Sequence, residues 1–217
     1  MPFPLVAPGF LDDVNIEFVA AATNSNAGNA ALTITLPAGT TTGDVVLVMF
    51  DDRQGANVAI STSGYTLLYN LADVKIAYKV MGSTPDTTVT RGSNGVAGRA
   101  QTGIAFVFRN VSQSNPSDAT PPSTATGTST TPDSPSITTV TPGAVVVSAF
   151  VSNTTDAAVT GPSGYSDATS RTHDTTIDGV IGMAWKRVDT PGAENPPSWS
   201  NVVSASWGAL TVALRRA

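Results

Sequence analysis

Apolar and polar residues alternate with period two along most of the chain, and no window of twelve residues places its apolar groups at helical spacing. Val14-Asn15-Ile16-Glu17-Phe18 and Leu32-Thr33-Ile34-Thr35-Leu36 predict strands with one wet face, the second ended by Pro37-Ala38-Gly39. Val45–Phe50 and Val145–Phe150 are near-continuous apolar runs. At strand length such runs predict core strands, covered on both sides or meeting a partner on the outer one. Further strands are predicted at Val74–Met81, Thr87–Thr90, Gly103–Phe108, Val180–Val188 and Ala205–Leu214, each bounded by Gly, Pro, Asn or Asp. The expected class is all-β.

Two halves carry the same signals in the same order. Gly43-Asp44-Val45-Val46-Leu47-Val48-Met49-Phe50 matches Gly143-Ala144-Val145-Val146-Val147-Ser148-Ala149-Phe150 at an offset of 100, and Ser63-Gly64-Tyr65 matches Ser163-Gly164-Tyr165 at the same offset. Ala77-Tyr78-Lys79 pairs with Ala184-Trp185-Lys186 at 107, and Gly103–Arg109 with Gly208–Arg215 at 105 to 106. A tandem duplication is expected, with halves at about 30–110 and 135–217. Between them the Ser/Thr/Pro-rich stretch 111–134 reads as an extended connection across one sandwich, because a single sheet needs a second layer to bury its inner face. The alternative is a hinge between two domains. Residues 14–217 are thus expected as one antiparallel β-sandwich, preceded by an extended arm, 1–13.

Composition narrows the chemistry. Charged residues are 12% of the 217, and 31 Thr with 21 Ser supply the polar surface instead. A net charge of -5, with no basic stripe, argues against nucleic-acid binding. With no Cys, disulfides, thiolate metal sites and thiol catalysis are excluded. No run of eighteen apolar residues is present, so no membrane span is expected. The opening segment lacks a basic leader and is broken by Pro2, Pro4 and Pro8, which does not fit a signal peptide.

Candidate chemistry is sparse. His173 is the one possible imidazole base; its polar surroundings, Arg171 to Gly179, read as a loop, and no Gly-x-Ser-x-Gly elbow presents a nucleophile. Asp12-Asp13 and Asp51-Asp52 are neighbours whose side chains point apart in extended chain; Asp44, Asp51 and Asp52 are the calcium alternative. The loop Arg91 to Arg99 is Gly-rich but lacks the ending of a phosphate loop. Neither catalytic residue, metal nor cofactor is expected. Tyr65, Tyr165, Trp199 and Trp207 are the aromatics available to stack on sugar rings, but aromatics on strands are more often core, and Tyr65 and Tyr165, each after Ser-Gly, are expected to play equivalent packing roles in the two repeats. In the arm, Phe3, Leu5, Val6, Phe10 and Leu11 need cover. They either fold back on the sandwich or dock into a partner, where proline lowers the entropy lost on ordering.

The order of motifs carries a resemblance. Leu36-Pro37-Ala38-Gly39-Thr40-Thr41-Thr42-Gly43-Asp44-Val45 is followed by Ser63-Gly64-Tyr65, Ala77-Tyr78-Lys79-Val80 and Phe108-Arg109-Asn110-Val111. Asn115-Pro116-Ser117-Asp118, the second valine strand and Trp207-Gly208-Ala209-Leu210 complete it. Residues 30 to 217 resemble a widespread, largely uncharacterised group of β-sandwich proteins of tailed bacteriophages and prophages. The resemblance implies a jelly-roll-like virion structural protein, on the capsid or the tail, and carries over no catalytic residue. The expected function is non-enzymatic: a capsid decoration or cement protein, made in the host cytoplasm and carried on the capsid surface. Its expected partners are the phage major capsid protein and other copies of itself, as a homotrimer at local three-fold axes. The alternative is a receptor- or glycan-binding module of a tail fibre or baseplate, with Tyr65, Tyr165 and Trp199 as contacts.

Overall fold

The described residues form antiparallel strands and no helix. The computed structural model describes residues 14–26, 28–51, 58–70, 74–96, 100–154, 159–173, 179–200 and 202–217. Their strands are β1 (Glu17–Asn26), β2 (Leu32–Thr35), β3 (Val45–Asp51), β4 (Thr66–Asn70), β5 (Val74–Val80), β6 (Thr88–Arg91) and β7 (Gln101–Arg109), then β8 (Ser117–Ser129), β9 (Ile137–Thr138), β10 (Ala144–Ser152), β11 (Ser166–His173), β12 (Gly179–Val188), β13 (Ala193–Glu194) and β14 (Ala205–Leu214).

The two halves build the same object. One sheet has the order β1-β7-β3-β5-β4, the other β8-β14-β10-β12-β11, and small ribbons β2-β6 and β9-β13 complete each half. All pairings are antiparallel. Register fixes the equivalence: Val45 opposes Val80 and Phe108, while Val145 opposes Arg187 and Leu214. The last strand is therefore offset by 106 throughout, so Gly103 corresponds to Ala209 and not to Gly208.

The repeat boundary also moves. Each unit begins with an edge strand that lies outside the expected halves, β1 at Glu17, which overlaps the strand predicted at Val14–Phe18, and β8 at Ser117. Residues 117–129 are thus a thirteen-residue strand paired with β14, where an extended connection, not a strand of the sheet, was expected. The pattern hid it because an edge strand of Thr, Ser, Ala and Gly has almost no apolar side chain to alternate. The all-β antiparallel sandwich is present. Each large sheet is formed by one contiguous half of the chain, and this strand order does not establish a jelly roll.

Packing places the apolar runs at the centre. Val45, Leu47 and Met49 of β3 share a core with Val145, Val147 and Ala149 of β10, so the two large sheets lie face to face. Phe18 joins them at one side, its ring 5.6 Å from that of Trp185 and 5.1 Å from that of Phe106. The alternate residues point outward and are buried as well. Val46, Val48 and Phe50 meet Leu32, Ile34 and Val89 of the β2-β6 ribbon, and Phe150 packs against Trp199 and Val202. Four layers result, which is why β3 and β10 lack the alternation of a half-exposed strand.

Candidate functional site

Tyr65 and Tyr165 occupy equivalent places, each following a turn whose glycine, Gly64 or Gly164, has positive φ. The Lys79 ammonium lies 5.7 Å from the centre of the Tyr65 ring, and that of Lys186 lies 5.9 Å from the Tyr165 ring. Each lysine is held by an acid: Lys79 pairs with Asp86 at 2.7 Å, Lys186 with Glu194 at 2.8 Å. The duplicated unit is therefore a tyrosine, a lysine and a carboxylate. It differs in one respect: the longer Glu194 also accepts from the Tyr165 hydroxyl at 3.1 Å, whereas the buried Tyr65 hydroxyl has no hydrogen-bond partner among the described residues. Burial pushes both phenols well above their ordinary range, and Asp86 and Glu194 push further in the same direction. Half-buried and wedged over a lysine stem, these rings offer little free face to a sugar.

Trp199 cannot contact a glycan. It is 0% exposed, its ring is 4.7 Å from Phe150, and its indole N–H donates to Ser148 Oγ at 2.9 Å, with Ser134 Oγ a further 2.8 Å away. Of the two readings the sequence offered for this aromatic, core packing is the one realised: it seals the outer layer of the second sheet. His173 is relocated: it is the last residue of β11 and is buried, not part of a solvated loop. Asp44 is 1% exposed and serves structure. It accepts from Thr41 N at 2.8 Å and holds Arg109 through Nε and Nη2 at 2.9 and 3.0 Å. The arm residues Phe3, Leu5, Val6, Phe10 and Leu11 lie outside the described residues, as do Asp12, Asp13 and Asp52.

A second latch answers the first. In the second half the position of Asp44 is Ala144, yet Asp118 on β8 accepts from Val140 N at 2.7 Å and Thr141 N at 3.3 Å and lies 3.5 Å from Arg215 Nε. The same turn, with Gly43 and Gly143 at φ of 85° and 73°, is thus capped by a carboxylate from a different strand. Both latches sit at one end of the sandwich. There Asn110 Nδ2 donates to Asn15 O at 2.9 Å, Ser112 N to Arg215 O at 2.8 Å, and Ala217 N to Asn110 O at 3.0 Å. The root of the arm, the link between halves and the last residues are knitted together.

At the opposite end a groove of about 460 Å³ runs between the sheets, lined by Asp51, Val74, Thr126, Thr128, Asn153 and Trp207. Trp207 is partly exposed, its N–H donating to Ser129 Oγ at 2.9 Å, and it covers Gly127 so closely that a Cβ there would stand 2.5 Å from the ring. Hydroxyls, one amide, the Asp51 carboxylate and one aromatic suit a hydroxyl-rich ligand. Among the described residues no group of three His, Asp or Glu side chains converges to hold a metal ion.

No protein-family model, curated relative or solved structure matches the chain.

Proposed function

We propose that the protein is a virion structural protein that decorates the outer surface of an assembled bacteriophage capsid and braces neighbouring capsomers. The observation that carries this reading is the knitted end of the sandwich. The chain preceding Val14, with its apolar Phe3, Leu5, Val6, Phe10 and Leu11, is rooted where both halves are tied by the Asp44–Arg109 and Asp118–Arg215 latches. A pull on a docked arm is therefore shared by both sheets. The motif order from Leu36 to Leu214 supports the same class, and a Thr- and Ser-rich, weakly charged surface suits a rigid body exposed to the medium. Repetition on a lattice makes individually weak contacts sufficient, since each further contact is intramolecular.

A tail-borne glycan-binding module is the second reading, favoured by the Trp207 groove in place of Trp199. One experiment separates the two. Purified protein added to undecorated capsids should bind saturably, with copies in the hundreds per particle, and removing residues 1–13 should weaken binding. Absence of saturable binding overturns the decoration role, and a handful of copies per native particle favours the tail. Undiminished binding without residues 1–13 removes the arm from it.

A further inference from the structure

We propose that two copies of the protein join through the free edge of β8, pairing Ser123–Ser129 antiparallel about a two-fold axis at Thr126, so that two five-stranded sheets become one of ten. Sheet edges carry unpaired N–H and C=O groups, and proteins blunt them with charge, bulges, proline or cover. Three of the four large-sheet edges here are blunted. Along β1, Asn24 Nδ2 donates to Thr33 O at 2.7 Å and Asn26 Nδ2 to Ala30 O at 2.9 Å, drawing the β2 segment over it. The β4 edge has five residues and an irregularity between Leu67 and Tyr69. The β11 edge shifts register between Ser166 and Thr169 and carries Asp167, Arg171 and His173.

The β8 edge has none of these over its second half. From Ser123 to Ser129 it pairs without a shift to Thr211–Ala205, and the irregularities lie nearer Ser117. No ionisable side chain occurs between Asp118 and Asp133. The strand is also held in place from behind, by Trp207 over Gly127 and the Trp207–Ser129 hydrogen bond. Among the described residues, no strand or backbone hydrogen bond lies on the outer side of this stretch.

What identifies the occupant is the sequence of the edge itself. Ser123-Thr124-Ala125-Thr126-Gly127-Thr128-Ser129 reads nearly the same in both directions. Antiparallel pairing about Thr126 sets Ser123 against Ser129, Thr124 against Thr128, Ala125 against Gly127 and Thr126 against itself. Threonine pairs directly across an antiparallel ladder are favourable, and no like charges meet. Equal parity of partners lets every outward N–H and C=O find its complement, about six to eight hydrogen bonds in all. Pro122, without an N–H, limits the ladder on each side. Room exists for the second copy, because Thr124, Thr126 and Thr128 are exposed on the face turned toward the other sheet: β8 stands proud of it. A two-fold contact replaces the three-fold arrangement expected from capsid geometry, and it does not depend on the decoration role.

The chain has no cysteine, so a single introduced thiol reports alone. Across the axis the two Thr126 Cα atoms would be about 4.5–5.5 Å apart, within the reach of a disulfide. In the full chain, Thr126→Cys under mild oxidation should yield a covalent dimer far faster than Ser163→Cys, an exposed turn position elsewhere. The unmodified protein should sediment as a concentration-dependent dimer at micromolar concentration. Thr126→Lys sets two like charges face to face and should weaken dimerisation at least about tenfold, with the circular dichroism of the fold unchanged. A monomer or trimer at these concentrations overturns the proposal, as does an intact dimer in Thr126→Lys or equal cross-linking at Ser163→Cys.

Discussion

Replacing Trp199 by alanine tests whether this aromatic is a keystone of the outer layer. Its ring is fully buried against Phe150 and Val202, and the ring lies where any Cβ on Gly182 would stand 3.0 Å from Cζ3. Truncating a buried tryptophan costs about 3–5 kcal/mol, from lost transfer energy and the cavity left behind. The hydrogen bond to Ser148 adds little to that figure, because Ser148 Oγ keeps Ser134 as a partner and is not orphaned. Trp199→Phe keeps most of the ring and loses the donor, so it should cost about 1–2 kcal/mol. For a domain of this size about 1 kcal/mol moves the thermal midpoint by roughly 2–4 °C, so the alanine variant should melt on the order of 10 °C lower. Urea unfolding followed by far-ultraviolet circular dichroism gives the free energies without relying on the fluorescence of the residue removed. A loss below about 1 kcal/mol for Trp199→Ala would refute the sealing role, since no core tryptophan is that dispensable.

Two further expectations concern the polar framework. Asp44→Ala removes the acceptor of Thr41 N and of Arg109, and should destabilise by about 1–3 kcal/mol in urea, limited by the partial exposure of Arg109, which can rehydrate. Asp118→Ala should fall in the same range although it lies at an unrelated sequence position, and a loss under about 0.5 kcal/mol at both would dismiss the latches. At alkaline pH the sign follows from the two raised phenols. Folded Tyr65 and Tyr165 keep protons that the unfolded chain releases, so their stabilisation is complete below pH about 10 and declines above it, by up to about 1.4 kcal/mol per pH unit for each ring. Denaturant midpoints at pH 9 and pH 11 check this, and phenolate absorbance from all four tyrosines near pH 10 in folded protein would contradict it.

The sequence alone determined the class and the repetition. Alternation and β-branched runs are local, so Leu32–Leu36 and the two valine strands announce themselves wherever they pack, and the recurrence of Ser-Gly-Tyr announces the copy. Tertiary structure decided what depends on who faces whom. The edge strand β8 was invisible because threonine and glycine bury nothing to alternate; its strand character comes from hydrogen bonds to β14. Trp199 could be read as exposed or core until Phe150 and Ser148 were found beside it. The substitution of Asp118 for Asp44 is likewise unreadable in one dimension, since a carboxylate can reach the same turn from any strand that ends there. Local pattern records which residues want cover; only the fold records what supplies it.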